Sequence, residues 1–119
     1  MPKIKIKVLI NSNDNNTKFE TMAILQENLL KYKETDNTSV VFDCNNLILT
    51  RENNELRMEY RFNEERPTTG KILVKDLNKD LEIAIKTKKI ERKGNDIKIN
   101  FEVENNEFLY HIEEIKWVF

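Results

Sequence analysis

Cysteine, histidine, glycine and proline are all scarce in this chain, and each scarcity removes a class of chemistry. Cys44 is the only cysteine, so no internal disulfide can form. Gly70 and Gly94 are the only glycines, too few for a glycine-rich phosphate loop. His111 has no second histidine with which to share a metal. The Asn/Asp-rich turns lack the regular Asp-x-Asp-x-Asp-Gly spacing of a calcium loop, so no metal is expected and no cofactor motif is found. Charge of one sign is also missing. With 20 basic and 21 acidic residues the chain lacks the basic excess of a nucleic-acid binder and the acidic excess of a polyanion mimic. There is no long apolar run. Met1-Pro2-Lys3-Ile4-Lys5-Ile6-Lys7 alternates charge with aliphatics and reads as neither signal peptide nor membrane span. The expected compartment is the cytoplasm, where the triplets Asn15-Asn16-Thr17 and Asn37-Thr38-Ser39 carry no glycosylation signal.

What is present is alternation. Nearly every apolar residue sits in a short run of period two, and an Asn/Asp-rich turn cuts the chain every ten or so residues. Ile4, Ile6, Val8 and Ile10 share one face of a first strand, with Lys3, Lys5 and Lys7 on the other. The clearest strand carries Leu56, Met58, Tyr60 and Phe62 inward and Arg57, Glu59 and Arg61 outward. Residues 17–34 fit two strands broken near Glu27-Asn28 better than a helix, because a helix would put Gln26 and Lys33 on its buried stripe. Asn53-Asn54 is expected to form a type I′ hairpin, since Asn accepts positive φ. In the last strand the apolar phase moves from Phe108, Tyr110 and Ile112 to Ile115, Trp117 and Phe119. That slip predicts a β-bulge at Glu113-Glu114.

The count is about ten short strands joined by hairpins, with no linker, repeat or second domain. At 119 residues the chain is expected to form one domain, 1–119. Long crossovers are missing and closure removes exposed edges. The expectation is therefore all-β: an antiparallel up-and-down barrel of eight to ten strands.

In order along the chain come Tyr32-Lys33-Glu34 after an apolar strand start, and Leu47 to Arg51 ending a hydrophobic strand. Met58 and Phe62 on the next strand, a Leu81 to Thr87 strand and Ile97 to Val103 follow. In this order Leu30 to Ile115 resembles the YwiB-like family of bacterial calycin-type (lipocalin-like) β-barrels. The resemblance implies a lipocalin-like barrel without an established activity.

Glu34 lies on the face of Leu30 and Tyr32, and Arg51 on the face of Leu47 and Leu49; both faces are expected inward. Two ionisable groups near one end of a barrel must pair or meet water, because an unpaired buried charge is expensive. Either they anchor the polar end of a ligand in an apolar cavity, with Tyr32, Met58 and Tyr60 around it, or they form a structural ion pair at the rim. His111 falls on the outward phase with Leu109 and Glu113, as a surface histidine. Cys44 sits in a turn as a passive thiol. Glu102, Glu104, Glu113 and Glu114 read as solvent faces where acids and bases pair across strands. The basic run Lys86, Lys88, Lys89, Arg92 and Lys93 has no interleaved aromatic and so lacks the stacking platform of a single-strand binder.

No nucleophile, base and orienting group can be assembled, so an enzyme is not expected. One function and two alternatives fit such a barrel, the last of them against the missing aromatic platform. The first is a binder of a small apolar or amphipathic ligand at one barrel mouth. The second is a protein-interaction module or homodimer with a filled core, for which Trp117 and Phe119 are candidate contacts. The third is a nucleic-acid-contacting barrel using the Lys86 to Lys93 run.

Overall fold

The computed structural model describes residues 3–12, 15–105 and 108–119, the side chains of 105 and 108–112 excepted. Among the described residues ten strands follow one another: β1 (Lys3–Ser12), β2 (Asn16–Gln26), β3 (Leu29–Lys33), β4 (Ser39–Asp43), β5 (Ile48–Glu52), β6 (Leu56–Arg61), β7 (Thr68–Val74), β8 (Lys79–Lys93), β9 (Asp96–Asn105) and β10 (Phe108–Val118). Each pairs antiparallel with its neighbours in sequence, and β1 pairs with β10 to close the barrel. This is the up-and-down barrel expected from the alternation, with ten strands. None of the described residues is helical, and none forms a helix long and apolar enough to cross a membrane. Residues 17–34 are two strands, and both Gln26 and Lys33 are exposed, as the strand pattern requires.

The barrel interior is filled. Ile6 and Val8 of β1, Leu30 of β3, Phe42 of β4, Leu49 of β5, Ile83 and Ile85 of β8 and Ile99 and Phe101 of β9 are all buried. Trp117 lies flat on Phe42 at a centroid distance of 4.1 Å and 8°. Phe62 meets Phe101 at 4.8 Å. A barrel of this size is narrow enough for such side chains to occupy its centre. The wall is tight at Gly70 on β7. A Cβ there would come within 2.5 Å of the Glu59 carbonyl oxygen on β6 and 2.9 Å of Ile85 Cδ1, so only glycine fits.

The structure differs from the expectation at one turn and in one strand. Asn53 and Asn54 do not take positive φ, so no type I′ turn forms. Instead the connection is three residues long, and the Asn53 carboxamide oxygen accepts hydrogen bonds from the Glu55 and Leu56 amides at 2.8 and 2.9 Å. Side-chain capping replaces left-handed backbone. The second correction concerns β10. The register shift against β9 lies between Phe108 and His111, upstream of Glu113-Glu114, and from His111 onward the pairing is regular. Left-handed backbone does occur at Glu27, the first residue of the β2–β3 turn, and at Leu47, Asn37, Asn78 and Gly94.

Candidate functional site

One mouth of the barrel carries the ionisable residues that alternation had turned inward. On β5, Leu49 is buried and Arg51, two residues on, shares its face; Val40 and Met58 stand directly opposite Arg51 on the flanking strands. Glu34 follows β3 and is fixed by the tight segment 34–38. Its amide donates to the Thr38 carbonyl at 2.9 Å, its carbonyl accepts from the Asn37 amide at 3.0 Å, and Asn37 takes φ 67° to make the turn. The buried Thr38 amide donates to Asp36 Oδ1 at 3.1 Å, and the Thr38 hydroxyl accepts from Asn53 Nδ2 at 3.4 Å. The loop thus delivers Glu34 in one orientation.

Arg51 donates to Glu34 Oε1 through both Nη2, at 2.6 Å, and Nε, at 3.3 Å. The Glu34 side chain is only 8% exposed and that of Arg51 28%. Burial alone would lower the guanidinium pKa. The hydrogen bond and charge of Glu34, with Tyr60 and Glu113 behind them, outweigh it and hold Arg51 above its ordinary value. Burial, with the Glu113 carboxylate nearby, pushes the Tyr60 hydroxyl up to about 12. That hydroxyl lies 3.6 Å from Met58 Sδ.

Glu113 is the residue that sequence reasoning placed on the wrong face. It pairs across from the buried Phe101 and shares its phase with the buried Ile115 and Trp117, so it points inward beside Arg51 and Tyr60. Siting the phase slip at Glu113-Glu114 hid this. The odd-numbered phase of Ile115 and Trp117, carried back one step, would have found it. Above the cluster opens a cleft of about 290 Å³ lined by Ile10 and Ser12 of β1, Thr17 and Phe19 of β2, Glu34 and Asp36 of the segment 34–38, Arg51 and Glu113.

Of the five residues singled out, Glu34 and Arg51 are in contact and Met58 and Tyr60 adjoin them. Tyr32 is turned elsewhere: its hydroxyl accepts a 2.8 Å hydrogen bond from Trp117 Nε1 deep in the barrel. Burial drives its pKa far up; the Trp117 bond opposes this and the Glu34 charge adds to it. Trp117 is fully buried, which removes it as a surface contact and makes it a barrel-closing residue; Phe119 is half-buried. The His111 side chain lies outside the described residues. Cys44 is half-buried in a turn, its thiol pKa raised by burial, and its carbonyl accepts from Arg92 Nη2 at 2.7 Å. The basic run is drawn into pairs, Lys88 with Glu102 and Lys89 with Glu91. Glu102 is nonetheless buried, with Lys86 opposite it in register. Among the described residues no three His, Cys, Asp or Glu side chains stand together as metal ligands.

Fold and mouth together define a closed ten-stranded antiparallel meander with a filled interior and a charged cluster at one end. Its architecture is similar to that in the crystal structure of the YwiB protein from Bacillus subtilis. The TM-score is 0.56 at 17% sequence identity, over 98% of this chain and 89% of that one. At that identity the likeness is one of fold, and at that level it bears out the resemblance to the YwiB-like family. No protein-family model and no curated protein matches the chain.

Proposed function

We propose that this protein is a non-catalytic, calycin-type binding protein that holds a small amphipathic ligand at the charged mouth of its barrel. The carrying observation is the cluster of Glu34, Arg51 and Glu113 that lines the cleft, with the buried Tyr60 beside Arg51 and Glu113. Ile10 and Phe19 are the two apolar residues of a cleft lined otherwise by polar side chains, and convergent polar groups beside a small apolar patch suit an amphipathic ligand. Because the interior below is filled, the ligand sits in the mouth and not in the lumen. Its polar end meets the cluster and its apolar body lies against Ile10 and Phe19. Glu34, Asp36 and Glu113 set three carboxylates against one guanidinium, which favours a ligand end that donates hydrogen bonds or carries positive charge. The cluster contains no nucleophile with a base beside it, so the role is retention and not turnover. A cytoplasmic setting suits the single thiol.

Native mass spectrometry of the gently purified protein tests this, backed by thermal shift with octylamine and octanoate. A small-molecule adduct lost on mild denaturation, with octylamine stabilising more than octanoate, is the expected result. Glu113→Gln, which removes one of the three carboxylates and leaves the Arg51–Glu34 pair in place, should then weaken octylamine binding more than folding. A clean apo mass with no thermal shift from either probe would refute the proposal.

A further inference from the structure

A second site lies on the outer wall, where the barrel is not fully zipped. β2 is 11 residues long, yet only Ile24, Leu25 and Gln26 pair with β3. Residues Asn16 to Ala23 pair with β1 alone, and Tyr32 and Lys33 pair with β4 alone. Above the Ile24–Lys31 pair the two strands part, leaving eight residues of β2, Asn16 to Ala23, with one backbone edge that meets no sheet neighbour. From inside, the rings of Phe19 and Tyr32, 6.4 Å apart, stand behind the seam. On the outside the seam opens onto a groove of about 500 Å³. Met22, Ile24 and Val41 form its apolar strip, and Lys3, Lys31 and Lys33 flank it. Met22 is 55% exposed, one of two large hydrophobic side chains so exposed among the described residues. No carboxylate lines the groove, which flanks the Thr21 to Ile24 end of the edge, and Glu20, on the same face of β2, is taken by Lys5 at 3.1 Å; Glu34 and Asp36 stand only at the far end, where Thr17 and Phe19 enter the mouth cleft.

We infer that this seam is a docking site for an extended peptide segment of a partner protein, one that alternates carboxylate and apolar side chains and adds as a strand to the free edge of β2. An unpaired edge offers backbone hydrogen bonds to such a segment, and the flanking side chains choose among segments. A strand lying there sends alternate side chains outward, toward Lys31, Lys33 and Met22, and inward, toward Phe19 and Tyr32. Carboxylates suit the first row and apolar groups the second. The lysines act in both directions: they repel basic or like-charged edges, including a second copy's own, and admit an acidic one.

The test uses the full chain and two fluorescein-labelled eight-residue peptides, one alternating Glu with Val and one alternating Lys with Val. Anisotropy gives affinity and amide hydrogen exchange gives location. The Glu/Val peptide is expected to bind about tenfold or more tightly than the Lys/Val peptide, the weight of two or three exposed charge pairs. Met22→Glu, and Lys31→Glu with Lys33→Glu, should each weaken it by a similar factor; all three side chains are exposed, and Trp117 fluorescence checks that the barrel is intact. At a peptide concentration of ten times Kd, exchange at the free-edge amides between Thr17 and Ala23 should slow about tenfold. Equal affinity for the two peptides overturns the inference, as does no binding at millimolar peptide, or binding that leaves those amides unchanged. So does finding them already protected in a peptide-free dimer, which would make a second copy the occupant.

Discussion

Tyr32→Phe removes one oxygen atom from the centre of the barrel, and its effect can be worked from the structure. The Tyr32 hydroxyl receives the Trp117 indole N–H at 2.8 Å, joining β3 to β10 across the interior. Trp117 is 0% exposed and Tyr32 7%, so the interior offers no bulk water to take over the bond. The phenylalanine ring keeps the contact with Phe19 and the buried apolar area. What is lost is the acceptor alone, and a buried donor left without a partner costs about 1–3 kcal/mol. With a urea m-value of about 2 kcal/mol/M, a loss of about 2 kcal/mol lowers the unfolding midpoint by about 1 M. Trp117 is the only tryptophan, so its fluorescence follows unfolding at the altered site itself. Making Trp117→Phe in both backgrounds, read by circular dichroism, should give a coupling energy of about 1 kcal/mol. A midpoint for Tyr32→Phe within about 0.2 M of the parent would refute the reasoning, because it would mean that the hydroxyl carries no structural weight.

Gly70→Ala drives a Cβ into the Glu59 carbonyl, a backbone atom that cannot swing aside, and should lower stability by about 2 kcal/mol or more in the same assay. Tyr60 is raised by burial and then by Glu113, so between pH 10 and about 12 the unfolded chain loses a proton that the folded one keeps. Stability should therefore fall across that window, less steeply in Tyr60→Phe, and absorbance at 295 nm should show the late ionisation. Asp43 is held below its ordinary carboxylate value of 3.8 by the Asn46 amide at 2.9 Å, with the Asn46 side chain and the Asn45 amide adding to this. Its contribution is present above that value and fades as the pH falls below it. Asp43→Asn should thus lie closer to the parent at pH 3 than at pH 6 in chemical denaturation.

Strands were legible wherever one face had to be apolar. Leu56, Met58, Tyr60 and Phe62 alternate without fault because a period of two is the only pattern that keeps one side of a strand buried. Glu34 and Arg51 were found by the same count. Glu113 was not, because a one-residue register shift reverses every face beyond it and the shift falls among residues whose own pattern is ambiguous. The turns were legible as places and not as conformations. Asn53 has two ways to bend a chain, by its own φ or by its side-chain oxygen, and the residue name does not choose between them. The open seam left no trace in the sequence, since β2 alternates smoothly through the point where its pairing with β3 stops.

The meander has one further consequence, for the order of assembly. Every strand pairing but one joins neighbours in sequence, so nine hairpins can form locally, each closing a short loop. The β1–β10 pairing alone must bring together residues roughly a hundred positions apart, and loop-closure entropy charges about 4 kcal/mol for that single step. The barrel therefore concentrates its topological difficulty in one contact. Trp117 sits on that contact, opposite Val8. In refolding, sheet formation seen in the far ultraviolet should run ahead of tryptophan fluorescence, with the closing of the ring as the last event.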